Sequence, residues 1–270
     1  MVQVAVAQFA PGVDKGENLA TIRKLAGEAA GRGAAVVVFP EFAMFTAPKL
    51  DERFVDSAEP LDGPFVAGLA ELAGRLGVHV VAGVNERLDE RPDEPGRISN
   101  TLLAVGPGGG IVAEYRKTHL YDAFGYKESA LVRPGELGDP ETFTVEGVTF
   151  GMQTCYDVRF PEVTRRIVDA GADVLALPAD WVPGPLKEDH WRTLVRARAI
   201  ENTMYVAAAG QCAPTGAGNS MIVDPMGVVT AGVGEGTGVA SAEVSAERVA
   251  AVRETNPALG LRRFAVTRAE

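Results

Sequence analysis

Cysteine is scarce in this 270-residue chain: Cys155 and Cys212 are the only two, fewer than the disulfide framework of a secreted fold uses. Two free thiols in a reducing cytoplasm is the expectation, and a free thiol is the raw material of a nucleophile. Long apolar runs are missing too. No stretch of about 18 apolar residues occurs, so no membrane span is expected. Residues 2–9, VQVAVAQF, lack the basic start and small-residue cleavage site of a signal peptide. Basic residues are outnumbered, 26 against 36 acidic, and the net charge of -10 argues against nucleic acid or an anionic membrane as partner. A small anionic substrate held by local arginines is not excluded. The chain has no glycine-rich phosphate loop, no G-x-S-x-G elbow and no paired-cysteine motif. Its three histidines, His79, His119 and His190, have neither i, i+4 pairing nor a cysteine partner, so no metal site and no cofactor are expected.

What is present is an ordinary globular composition, 46% hydrophobic and 23% charged, in a chain long enough for one large domain. Helical spacing of Leu19, Ile22, Leu25 and Ala26 predicts a helix over 18–30, broken by Gly31 to Gly33. A second helix is expected over 64–76, with others over 162–170 and 190–202. Strands are expected over 34–39, 78–84, 101–105 and 111–115, with the glycines from Gly106 to Gly110 reading as a hairpin turn.

The second half repeats the first. Gly33-Ala34-Ala35-Val36-Val37-Val38-Phe39-Pro40 is answered by Gly171-Ala172-Asp173-Val174-Leu175-Ala176-Leu177-Pro178. Val2 to Gln8 is answered by Val148 to Thr154, and Asn100-Thr101 with its Pro107 turn by Asn219-Ser220 and the Pro225-Met226-Gly227 turn. Two like halves imply a pseudo-symmetric α/β architecture. Neither half has elements enough to close a core, so one intertwined domain over 1–270 is expected, with 248–270 as a C-terminal arm.

Three strand ends carry chemistry. Glu41 follows the 34–39 run and Pro40, Lys117 follows the 111–115 strand within two residues, and Cys155 stands at the end of an expected strand over 149–154. In open α/β sheets the carboxyl ends of strands are where ligands bind. Taken singly, each has an ordinary structural reading as a loop carboxylate, a surface lysine or buried filler. Cys212 reads as structural.

Together they fall in segments that resemble the nitrilase superfamily of carbon-nitrogen hydrolases. The matching segments are Phe39-Pro40-Glu41, Tyr115-Arg116-Lys117-Thr118-His119-Leu120, and Thr154-Cys155-Tyr156-Asp157-Val158-Arg159-Phe160-Pro161-Glu162, with Arg196 to Asn202 a further match. The resemblance runs from Gln3 to the Pro225 turn. It implies a four-layer α-β-β-α sandwich, a Glu41-Lys117-Cys155 triad, and a second glutamate beside it at Glu128. It also implies a homodimer built by stacking two sandwiches, with the C-terminal arm crossing to the partner.

The chemistry of such a triad is direct. A free thiol is only a few per cent thiolate at neutral pH and needs a base, here Glu41. Lys117 and the backbone N–H after Cys155 would receive the charge that builds on a carbonyl oxygen. Glu128 would orient Lys117 or the substrate amide. Tyr156, Arg159 and Trp181 are the expected substrate-binding residues. Arg159 is read either as a fork for a substrate carboxylate or as an internal partner of Asp157 or Glu162, and Trp181 either as a pocket wall or as core. The motif segments resemble the omega-amidase and deaminated-glutathione-amidase branch, which cleaves terminal amides of small dicarboxylic acid monoamides, although Asp122 to Tyr126 departs from it. The competing readings are an N-carbamoyl or ureide hydrolase, a nitrilase, or a non-catalytic binding protein on the same scaffold.

Overall fold

The computed structural model describes residues 1–89 and 96–267, so the last three residues of the expected arm lie outside the described residues. The first half runs β1 (Val2–Gln8), α1 (Lys15–Gly31), β2 (Val36–Val38), α2 (Arg53–Ser57), α3 (Pro64–Leu76), β3 (His79–Arg87), β4 (Ile98–Val105) and β5 (Ile111–Arg116). The second runs β6 (Thr142–Val145), β7 (Val148–Met152), α4 (Pro161–Asp169), β8 (Val174–Ala179), α5 (Lys187–Asn202), β9 (Tyr205–Gly210), β10 (Met221–Val223), β11 (Val229–Gly232), β12 (Gly238–Val244) and α6 (Ala246–Thr255).

Local chemistry sets the helix ends. Asp14 caps α1 by accepting from the backbone N–H groups of Gly16 and Glu17. Pro64 opens α3 and Gly77, at φ +68°, closes it.

Among the described residues the strands form two six-stranded sheets, ordered β12-β1-β2-β3-β4-β5 and β11-β10-β9-β8-β7-β6. In the first, β1, β2 and β3 are parallel, and β12, β4 and β5 join antiparallel. In the second, β7, β8 and β9 are parallel, and β6, β10 and β11 join antiparallel. The pseudo-two-fold therefore maps β1, β2 and β4 onto β7, β8 and β10, the strand matches expected from the repeat. The last strand of the chain, β12, lies in the first sheet, so the halves are intertwined.

Strand alternation sorts side chains into layers. Val36 and Val38 pack with Phe150, Val174 and Ala176 between the sheets. Val37 points the other way, toward Ile22, Leu69 and Leu72 of α1 and α3. On the second sheet Leu175 and Val206 face Ile167, Trp191 and Val195 of α4 and α5. The result is the expected α-β-β-α sandwich, whose central strands are buried on both faces and so read as unbroken apolar runs.

Part of the expected arm does not reach away from its own chain. Residues 246–255 are α6, with Val249 and Val252 buried and Arg248 paired to Asp224 at 2.9 Å. Beyond it, Leu261 and Phe264 are exposed.

Candidate active site

β2 delivers Glu41 three residues past its end, and the backbone there is pinned from both sheets. Gly83 N–H donates to Pro40 O at 3.2 Å, and the Gln211 side-chain amide donates to Glu41 O at 2.8 Å. Gly83 has to be glycine: a Cβ there would stand 2.6 Å from Phe42 N and 2.8 Å from Glu41 Cα.

Lys117 is the residue after β5, its N–H donating to Asn100 O at 2.9 Å. Its ammonium is buried between two carboxylates, 2.9 Å from Glu41 Oε1 and 2.8 Å from Glu128 Oε2. Burial opposes that charge, yet Glu128 and Glu41 hold the ammonium well above the ordinary lysine range. Asn100 on β4 completes the square, donating to Glu41 Oε1 at 2.7 Å and to Glu128 Oε1 at 3.0 Å. Glu128 Oε2 also accepts from Tyr121 N at 2.6 Å.

Cys155 differs from expectation in its local geometry. β7 stops at Met152, and Cys155 opens a 3-10 turn over Cys155–Arg159 with φ +47°. That left-handed value is strained for a residue with a side chain. The turn is held from within and from outside: its own Asp157 accepts from Thr154 N at 3.1 Å, and Arg198 of α5 donates to Val158 O at 2.9 Å. Sγ donates to Asp180 O at 3.7 Å. Burial and the nearby Glu41 push the thiol well above its usual range against the pull of Lys117, so the resting sulfur is protonated.

Glu41, Lys117, Glu128 and Cys155 all line one cavity of about 370 Å³, with Phe42, Phe54, Tyr121, Tyr126 and Pro214 among its walls. A larger groove of about 560 Å³, beside the 133–141 segment and α4, contains none of these four. The cavity with the convergent polar groups is the candidate site.

The other three expected residues do not line it. Tyr156 lies edge-on to Tyr121, with ring centroids 5.1 Å apart. Trp181 is core, packed 5.3 Å from Trp191. Arg159 sits over Trp181 at 4.9 Å and under Phe124 at 5.8 Å, with His190 Nδ1 3.4 Å from its guanidinium. Its expected internal partners are otherwise disposed: Asp157 is taken by Tyr115, Thr118 and His119, and among the described residues Arg159 closes no ion pair with it or with Glu162.

The sequence pattern does not single out Lys187, at the start of α5. Its ammonium stands 4.8 Å from the Trp181 ring and 4.7 Å from Phe124, and donates to Tyr121 OH at 3.0 Å. Burial and Arg159 lower its pKa. Nor does it mark Asn100, Asp157 or Asp180 as site residues. Among the described residues no cluster of three or more His, Cys, Asp and Glu is placed to hold a metal ion, and no helix is long and apolar enough to cross a membrane.

Comparison with known proteins bears on what such a site does. The carbon-nitrogen hydrolase family pattern matches residues 3–254. The chain belongs to the carbon-nitrogen hydrolase family. It is similar to the deaminated glutathione amidase of Escherichia coli O157:H7, 40% identical over 262 residues that cover 97% of each protein. Among solved structures it resembles Saccharomyces cerevisiae Nit3, a nitrilase superfamily member, with TM-score 0.83 and 28% identity over 97% of each chain. It also resembles an amidase from Nesterenkonia sp. AN1, solved with acrylamide added at its active-site cysteine, with TM-score 0.75 and 25% identity over 94% of this chain and 98% of that one. As a carbon-nitrogen hydrolase, this chain is an enzyme that cleaves carbon-nitrogen bonds other than peptide bonds.

Proposed function

We propose that this carbon-nitrogen hydrolase is an amidase that cleaves the terminal amide of a small, carboxylate-bearing molecule through a cysteine thioester. The observation that carries this reading is the buried Lys117 ammonium held between Glu41 and Glu128 in the same cavity as Cys155. The names of the Escherichia coli and Nesterenkonia relatives, both amidases, point the same way.

Glu41 takes the thiol proton as Sγ adds to the amide carbonyl. Lys117 and the backbone N–H of Tyr156 receive the oxyanion, whose charge is worth most in a dry, preorganised site. Glu128 and Asn100 position Lys117 and Glu41. The nitrogen leaves as ammonia, water adds to the thioester, and the sulfur departs with a proton to release a carboxylic acid.

Arg159 and Lys187 are the groups we assign to the substrate carboxylate. They share the Phe124 and Trp181 rings, and among the described residues neither closes an ion pair with a carboxylate. Tyr121 connects them to the cavity, lining it while accepting from Lys187. We further assign the protein to the cytoplasm as a homodimer, with the exposed tail around Phe264 as a contact.

The test is ammonia release against a panel of dicarboxylic monoamides, ureides and nitriles, with Cys155→Ala as blank. Monoamide turnover that vanishes in the blank is expected. Carbon dioxide released with the ammonia would move the substrate to a ureide, and turnover surviving in Cys155→Ala would overturn the cysteine mechanism.

A further inference from the structure

One carboxyl of the cavity has no part in the steps above. Asp180 follows β8 directly, two residues past Pro178, much as Glu41 lies one residue past Pro40 on the matching strand β2. The pseudo-two-fold thus brings two acids from equivalent strand ends into one cavity. Asp180 is wedged between base and nucleophile: its N–H donates to Glu41 Oε2 at 2.6 Å, and its carbonyl accepts from Cys155 Sγ at 3.7 Å. Asp180 is among the residues that line the cavity.

The hydrogen bonding of the two acids differs. Glu41 is occupied on both oxygens, by Lys117 and Asn100 on Oε1 and by Asp180 N–H on Oε2. Asp180 Oδ1 is buried and has no hydrogen-bond partner. Buried polar atoms are almost always partnered, so an orphan oxygen on a half-buried carboxyl beside the cavity leaves Asp180 with bonding still to complete.

Charge decides which form of Asp180 rests there. Two carboxylates, Glu41 and Glu128, and the Lys117 ammonium already line the cavity with the Tyr126 phenol, and the Cys155 thiol and Tyr121 phenol there are both pushed above their usual ranges. A third carboxylate would stand close to two others around one cavity. Burial and Glu41 accordingly raise the Asp180 pKa to about 7, with Lys117 opposing.

We propose that Asp180 is a second proton carrier of this site, giving its proton to the nitrogen that departs as the thioester forms. The assignment rests on the cysteine reading above. In acylation Glu41 takes the Cys155 proton and Sγ bonds to the carbonyl carbon. The C–N bond then breaks, its electron pair staying on nitrogen, and the Asp180 proton completes ammonia. Water next gives a proton to the Asp180 carboxylate as its oxygen adds to the thioester. The C–S bond breaks and sulfur recovers the proton held by Glu41, so both acids return to their starting forms.

The test compares two substrates with one acyl group: the monoamide of glutaric acid, whose nitrogen must be protonated to leave, and the p-nitrophenyl ester of the same half-acid, whose leaving group departs as an anion. Asp180→Asn keeps the shape and a donor but cannot pass a proton. Its kcat/KM on the amide is expected to fall about 100-fold, at least ten times more than on the ester. The wild-type amide profile is expected to decline as pH rises through about 7, and Asp180→Asn to lack that limb. Labelling of Cys155 by iodoacetamide at the wild-type rate would show that the variant's site is folded. Equal losses on both substrates, or none on the amide, overturn the assignment alone. Amide turnover in Cys155→Ala overturns the cysteine reading and this assignment with it.

Discussion

The phenol of Tyr115 donates to Asp157 Oδ2 across 2.8 Å and so ties the strand that delivers Lys117 to the turn that delivers Cys155. Asp157 is fully buried and also accepts from His119 N at 3.0 Å and Thr154 N at 3.1 Å. The His119 ring, stacked 3.8 Å from Phe160, closes the same knot through Nδ1. A single carboxylate therefore sets the distance between two halves of the site.

Removing it should cost both stability and activity. Asp157→Ala strands several buried donors at once and is expected to destabilise by roughly 3 kcal/mol, whereas Tyr115→Phe, which removes one donor, should cost about 1 kcal/mol. Urea unfolding measures both. Near-equal losses would mean that the knot is not centred on Asp157.

The resting thiol leads to a pH prediction. Burial and Glu41 hold the Cys155 pKa well above its usual range, so the reactive thiolate is scarce at neutral pH and increases past the point where an ordinary thiol has levelled off. In a Cys212→Ala background, iodoacetamide labelling of Cys155 should still be accelerating above about pH 9. A plateau near neutrality would show a preformed thiolate. Glu41→Gln removes the base and is expected to lower kcat/KM on amides by about 10² to 10⁴.

Gly83 tests whether the placement of Glu41 matters at the scale of one methyl group. Gly83→Ala must push the Glu41 backbone away from a 2.8 Å approach. A loss of about 1–3 kcal/mol in stability is expected, together with a fall in kcat of about tenfold or more. Unchanged kcat would mean that the strand yields without moving the carboxylate.

Much of this architecture is legible in the chain because it is written locally. Glycine-bounded apolar runs mark β2 and β8, and their recurrence announces the pseudo-two-fold before any contact is known. Glu41, Lys117 and Cys155 stand out because each follows such a run. What is not legible depends on pairing at long range. β12 joins β1, more than 200 positions earlier, and nothing in Gly238 to Val244 says so. Asn100 reads as a repeat marker, and only the stacking of segments around it turns it into the donor shared by Glu41 and Glu128. The expected strand is present but ends two residues short of Thr154, and the positive φ at Cys155 that follows is not legible because it is held by bonds of Asp157 and Arg198 against the preference of the residue itself.

The Arg159 and Lys187 pair should act on binding of charge. Arg159→Ala is expected to raise KM for glutaric acid monoamide about tenfold or more, a charged hydrogen bond being worth about 1.5–3 kcal/mol, and to leave KM for uncharged pentanamide nearly unchanged. Equal effects on both amides would make Arg159 a support for Trp181 and Phe124 instead.

The acid at Asp180 also makes folding stability depend on pH in a predictable direction. Its carboxyl binds a proton more tightly in the folded protein, where its pKa is about 7, than in the unfolded chain at about 3.9. The folded state therefore holds the extra proton between those two values, and stability falls as pH rises through that window. Below it both states are protonated, and this group has no effect on the slope. Asp180→Asn removes the proton without removing the shape, so its Tm should exceed that of the wild type by more at pH 8 than at pH 5. Titrating groups remote from the cavity cancel in that comparison, since both proteins carry them. A Tm difference that stays constant across the range would mean that Asp180 is already ionised in the folded enzyme, and its proton would then not be available to a departing nitrogen.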